Sequence, residues 1–194
     1  MFYFPAEYFL QVYSLPLIAE VRFQKDYFSE YPEQIRVGSD RTAVSYTRKP
    51  GYYAIHYNQS NTVASGAVLQ LNDGAMSTTG YAYAVFSGEP NQSEQGTLSP
   101  IYTLQPNGSL AVPTGLVFIR FAEGVDVESQ REVINQAGYE VAQSLDYAPH
   151  AAWLRAQSGN IADAIAGIPQ LEAIPKVENI EPQMLMEKGL KLGH

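Results

Sequence analysis

The chain contains no cysteine, which removes disulfides, thiolate catalysis, iron–sulfur ligation and cysteine-based zinc sites. Basic residues are scarce: 12 Lys and Arg against 20 Asp and Glu leave a formal net charge of −8, with no basic run. That balance disfavours nucleic acid and anionic membranes, which both demand clustered positive charge. Histidine occurs only at positions 56, 150 and 194, without the ligand spacing a metal site needs, so no metal or cofactor is expected. Phosphate-cradling loops are missing too, since Gly115 to Gly124 carries neither a Walker sequence nor a dinucleotide fingerprint. No apolar run is long enough to span a bilayer. The opening Met1-Phe2-Tyr3-Phe4 is apolar, but Pro5, Glu7, Gln11 and Pro16 interrupt the region, and neither a basic n-region nor a small-residue cleavage site follows. A signal peptide is therefore not expected, and a cytoplasmic location is the default expectation.

What is present is the composition of a globular protein: 45% hydrophobic and 16% charged residues over 194 positions, enough for one large domain or two small ones. The first twenty residues are rich in aromatics (Phe2, Tyr3, Phe4, Tyr8, Phe9, Tyr13), to be buried on the protein's own core or offered to a partner. From Ile18 to about Pro113 the pattern is β. Strands are predicted at Ile18–Phe23, Ile35–Gly38, Thr42–Thr47, Tyr52–Tyr57, Ala67–Leu71, Tyr81–Phe86 and Ile101–Leu104. Turn signals separate them, among them Pro50-Gly51, Asn58 to Asn61, Asn72-Asp73-Gly74 and Pro106-Asn107-Gly108. Residues 88–100 and 107–114 have linker composition. The expectation is a β-rich domain over residues 1–112, a small antiparallel sandwich or partly open barrel.

Residues 113–194 read differently. Gly115 to Phe121 is an unbroken β-prone run; Val127 to Ala137 is helical, capped by Asp126 and stopped by Gly138. Strands follow at Tyr139–Leu145 and Ala151–Ala156, around a turn at Asp146 to His150. A second helix spans Ile161–Ile168, capped by Asn160 and halted by Pro169, and a strand at Val177–Leu185 closes the series. In that helix Ile161, Ala164, Ile165 and Ile168 share one face. The order strand, helix, strand, strand, helix, strand is that of a ferredoxin-like βαββαβ domain, making the whole chain α+β.

The segments Val117-Phe118-Ile119-Arg120-Phe121, Gln136-Ala137-Gly138-Tyr139-Glu140-Val141, Ala151-Ala152-Trp153-Leu154-Arg155-Ala156 and Ile174 to Pro182 resemble the propeptide domain of subtilisin-like serine proteases. The resemblance covers roughly the last two-fifths of the chain. It implies a ferredoxin-like domain that assists folding of the protease and then inhibits it. None of the three histidines carries the Gly-Thr that follows the family's catalytic histidine, and no Gly-Thr-Ser-Met nucleophile segment exists. The expectation is a non-enzymatic protein: a propeptide-like inhibitor or folding chaperone of a subtilisin-like protease made as a separate chain. The alternative is a structural or homo-oligomeric interaction module without a protease partner. RNA-recognition modules and acylphosphatases share the element order. The first would need a basic, Gly-containing third strand, and the second an Arg in the loop Ala122-Glu123-Gly124-Val125; both are missing.

Strand parity selects the candidate partner surface. Val117, Ile119, Phe121 and Leu154 should face the helices, so Phe118, Arg120, Trp153 and Arg155 should face the other way. Aromatics with arginine are what binding hot spots are made of. Three covers for that face compete: a protease, the N-terminal β domain, or a second copy in a homodimer. The C-terminal Met184, Leu185 and Met186 are a second candidate, since in the resembling family the propeptide's end lies in the substrate groove; they serve equally well as the end of a last strand. Asp146 and His150 offer either an acid–base pair or an Asp-initiated turn carrying a solvated imidazole.

Overall fold

Leu110–Phe121, the sixth of nine strands among the described residues, is the axis of their sheet, and the chain on both sides of it is hydrogen-bonded to it. The computed structural model describes residues 26–38, 43–57, 65–72, 82–91 and 96–187. The aromatic opening, the strand expected at Ile18–Phe23, the turn at Asn58 to Asn61 and everything beyond Glu187 lie outside the described residues. Within them the order is β1 (Gln34–Val37), β2 (Val44–Tyr57), β3 (Leu69–Asn72), β4 (Ala82–Ser87), β5 (Thr97–Gln105), β6 (Leu110–Phe121), a 3₁₀ turn (Val127–Gln130) and α1 (Arg131–Gln136). Then come β7 (Tyr139–Ser144), β8 (Ala151–Ala156), α2 (Ile161–Ala166), α3 (Ile168–Glu172) and β9 (Val177–Met186). The protein is β-rich and antiparallel, with few and short helices.

All nine strands join one sheet in the order β3-β4-β2-β5-β6-β8-β7, with β1 also on β2 and β9 also on β6. β6 holds β5 at Leu110 and Ala111, β8 at Leu116 to Arg120, and β9 along almost its whole length. Opposite Gly115 the pairing with β9 shifts register, and Gly115 takes a positive φ of 90° there. A Cβ at that position would stand 3.1 Å from Ile161 Cγ1, so the bulge lets α2 settle on the strand.

Several expectations need correction. Thr42 lies outside the described residues, and from Val44 to Tyr57 the two strands expected on either side of a turn are one strand, β2. Pro50-Gly51 forms a bulge in it because β5 continues past on the same edge, and Gly51 at φ 74° absorbs the extra residues. Thr97–Pro100, taken as linker, belongs to β5 and pairs with Tyr53 to His56. Leu110–Thr114, also taken as linker, is the start of β6, so Pro113 sits inside a paired strand. Asp126 makes no side-chain cap, and the expected helix begins as a 3₁₀ turn. Pro169 does not end a helix but opens α3, where a missing N–H costs nothing.

Other features follow the sequence pattern. Asn160 Oδ1 accepts from Ala162 N–H at 2.8 Å, as an N-cap should. Asn160→Ala is expected to cost about 1 kcal/mol, measurable by urea unfolding; no change would mean that α2 is held by its packing alone. Ile161, Ala164, Ile165 and Ile168 are all buried, in one cluster with Val117, Ile119, Phe121 and Leu154. The same cluster takes in Tyr31, Val37, Tyr46 and Tyr102 from the first half of the chain. Residues 53–57 are buried without a break because β2 is covered on both faces there. Ala54 packs with Tyr83 and Val85 on one face, Tyr53 and Ile55 with Phe86 on the other.

Candidate functional site

The aromatic pair lies where parity puts it. Phe118 on β6 and Trp153 on β8 are direct cross-strand partners, with ring centroids 5.3 Å apart in an edge-to-face arrangement. Their neighbours Val117, Ile119 and Leu154 are fully buried toward the helices, so the two rings are on the other face, where they remain half-buried. Across the sheet the row runs Glu181, Phe118, Trp153, Gln143, with polar residues at both ends. Arg120 and Arg155 flank the rings and are exposed. Each pairs with a carboxylate on a neighbouring strand: Arg120 with Glu178 at 3.7 Å, Arg155 with Glu140 directly opposite it. Exposed pairs of this kind contribute little to stability. Their consequence is a central apolar patch with a rim of both charge signs.

Met184, Leu185 and Met186 are not brought to that patch. They are the last residues of β9, lie beyond the Gly115 bulge, and pair with Pro113, Val112 and Ala111. Met184 and Met186 pack on the main core and Leu185 on the smaller cluster around Ala54 and Ile101. Thr114 Oγ1 donates to Gln183 Oε1 at 2.7 Å and fastens this end of the strand. The three side chains are therefore engaged in the chain's own sheet.

The histidines separate clearly. His150 lies in the turn before β8, where its backbone carbonyl accepts from Phe121 N–H at 2.9 Å. His56 is 7% exposed on β2; its Nε2 is 2.9 Å from Ser99 Oγ, and its ring is 4.8 Å from that of Tyr83. Burial pushes the imidazole pKa down from 6.5 to about 4, so it is neutral at pH 7. A serine beside a neutral histidine is the beginning of a nucleophile–base pair. Ser99, however, is 0% exposed, and no substrate atom reaches its Oγ while β2 and β5 are paired. Among the described residues no group of three His, Cys, Asp or Glu side chains is arranged to hold a metal.

Two features had no readable sequence signal. Arg48, with its side chain 12% exposed, donates to the Phe28 carbonyl and to the carboxylates of Asp26 and Glu33. It thereby ties the turn before β1 to β2. Asp26 is held below the usual carboxylate range by the Phe28 N–H and by this guanidinium. Beside the clamp is an open cleft of about 230 Å³ bordered by Tyr27, Phe28, Lys49, Tyr52, Glu89 and Pro100, with Lys49 Nζ 4.8 Å over the Tyr52 ring. The other feature is a set of buried tyrosines whose hydroxyls donate to carbonyls: Tyr102 to Pro32 at 2.8 Å and Tyr139 to Ala164 at 2.7 Å. Burial raises both phenols well above their ordinary pKa. The partners lie 70 and 25 residues away, beyond any local pattern.

Comparison with protein-family models, with curated proteins and with solved structures finds no match for this chain.

Proposed function

We propose that the chain is a non-catalytic protein-binding module whose residues 113–187 form a ferredoxin-like unit of the subtilase-propeptide kind. Its Phe118–Trp153 face docks a subtilisin-like serine protease made as a separate chain, as inhibitor or folding chaperone. The observation that carries this reading is the rimmed aromatic pair. Two large half-buried rings meet at the centre of the sheet face opposite the helices, with arginines and carboxylates around them, which is the anatomy of an interface core and its rim. The strand order β9-β6-β8-β7, with the first and third strands of the unit at the centre, supports the ferredoxin-like assignment. The reading rests on this face and not on Met184 to Met186.

A second reading, homodimerisation through the same face, is favoured by its mixed charge: Arg120 and Arg155 beside Glu140, Glu178 and Glu181 can pair with a rotated copy of themselves. One set of measurements separates the two. Inhibition of subtilisin-like proteases is titrated while light scattering gives the mass of the free chain. A monomer that inhibits, and that loses about 100-fold or more in affinity in the Phe118→Ala/Trp153→Ala variant, supports docking of a protease. A dimer that the same double substitution splits supports self-association. A monomer that inhibits no subtilisin-like protease removes both.

A further inference from the structure

We propose that the first half of the sheet is an acid-opened element triggered by the His56–Ser99 pair. A proton taken up by His56 unzips β2 from β4 and β5, while the part of the sheet built by β6, β8 and β9 stays closed. This goes beyond partner docking and does not depend on it.

Among the described residues, none of the groups facing the imidazole can balance a charge on it. His56 and Ser99 are the buried polar residues of the described core, and they are bonded to each other. His56 faces the Tyr83 phenol from β4 and the hydroxyls of Thr97 and Ser99 from β5; next to Tyr83, β3 contributes Leu71. None of these groups is an anion. The surrounding cluster is apolar, made by Ala54, Leu71, Tyr83, Val85, Ile101 and Val112. β5 also closes tightly on this point, since a Cβ on Gly96 would stand 2.7 Å from the His56 carbonyl oxygen. A protonated imidazole donates from both nitrogens and needs two acceptors or an anion. Among the described residues, the closed sheet bonds the ring to one hydroxyl, that of Ser99. The charge is better satisfied once the ring is open to water, which parting of β2 from its neighbours provides.

The sign follows from burial. The closed form holds the imidazole pKa near 4, whereas the opened strand returns it to about 6.5. The opened form therefore binds the proton at the higher pH. Opening is suppressed above about pH 6.5 and grows as pH falls from there toward 4. Between pH 7 and pH 5 the opened population rises about 20-fold by this linkage. Three other groups bear on the window. Exposed Glu128 is held below the ordinary carboxylate range by its hydrogen bond from Arg131 and so protonates below it. Asp26 is held below the ordinary carboxylate range and so protonates below it. In residues 113–187 the buried titratable group is Tyr139, whose raised phenol does not change in acid.

Hydrogen exchange followed by mass spectrometry at pH 7 and pH 5, each corrected for intrinsic rate, tests this on the full chain. Protection of 52–57, 82–87 and 97–101 is expected to fall about 20-fold at pH 5 while 117–121 and 151–156 hold theirs. His56→Gln keeps a hydrogen-bonding side chain that cannot be protonated, and is expected to abolish the difference. Should that variant fail to fold, titration of the His56 ring by NMR in the unaltered chain decides. A ring still neutral at pH 5 supports the proposal, and a midpoint near 6.5 overturns it. Equal loss of protection in both halves, no loss in either, or an undiminished acid response in folded His56→Gln also overturns it.

Discussion

Gly167→Val is expected to destabilise the protein by about 3–5 kcal/mol, one of the largest losses available from a single substitution here. The backbone is not the reason. Gly167 ends α2 at φ −82° and ψ −2°, which any residue adopts. The reason is what stands over it. A Cβ would be 2.4 Å from the Tyr139 hydroxyl oxygen and 3.0 Å from two of its ring carbons. Tyr139 is 2% exposed, and its hydroxyl donates to the Ala164 carbonyl in the helix that Gly167 terminates. The ring has no room to retreat, and moving it breaks a buried hydrogen bond that nothing replaces. Gly138→Ala is the contrasting control. That glycine has φ 86° and open space around it, so alanine there meets backbone strain alone, at about 1–2 kcal/mol. Urea unfolding measures both. Gly167→Ala combined with Tyr139→Phe adds the decisive comparison. If the contact is the cause, the pair costs less than the sum of its members; strictly additive losses would assign the effect elsewhere.

Gly167 also marks where sequence patterns stop being informative. Local rules gave Asn160 as a cap, the stripe Ile161–Ala164–Ile165–Ile168 as a buried face, and Gly138 as a left-handed stop. Each depends on residues within a few positions of one another. Nothing local distinguishes Gly167, whose role is to leave space for a ring 28 positions earlier (167 minus 139). The same limit explains the breaks placed at Pro50-Gly51 and near Pro113. Proline and glycine usually end strands, but β5 holds β2 across the first and β9 holds β6 across the second, and those partners are distant in sequence. At the candidate site, alternation was enough to pair Phe118 with Trp153. It could not reveal that Arg120 and Arg155 already have carboxylate partners, or that Met184 to Met186 are packed at home. His56 and Ser99, 43 residues apart, meet only because β2 and β5 are neighbours.

Alternation along β8 makes its own prediction. Leu154→Ala is expected to cost about 2–5 kcal/mol, and Trp153→Ala, one residue away and a far larger truncation, less. Leu154 is 0% exposed, with Val117 on one side and Val141 on the other, in the cluster that β6 and β8 form with the helices. Removing its branched end leaves a hole walled by residues that are themselves held in strands and helices, so little collapse relieves it. Trp153 lies on the opposite face and is half-buried, its contact being the edge-to-face meeting with Phe118. Truncating it returns partly wet surface to water and leaves no enclosed cavity. What it forfeits is the ring contact, which a double-mutant cycle with Phe118→Ala should measure at about 0.5–1.5 kcal/mol. Because Trp153 is the chain's single tryptophan, circular dichroism rather than fluorescence must follow the unfolding. The order of the two costs is the diagnostic. If Trp153→Ala were the more damaging, the tryptophan would be the core residue and the leucine the surface one. The strand would then be turned over by one residue, and the face assigned to partner binding would be the face under the helices.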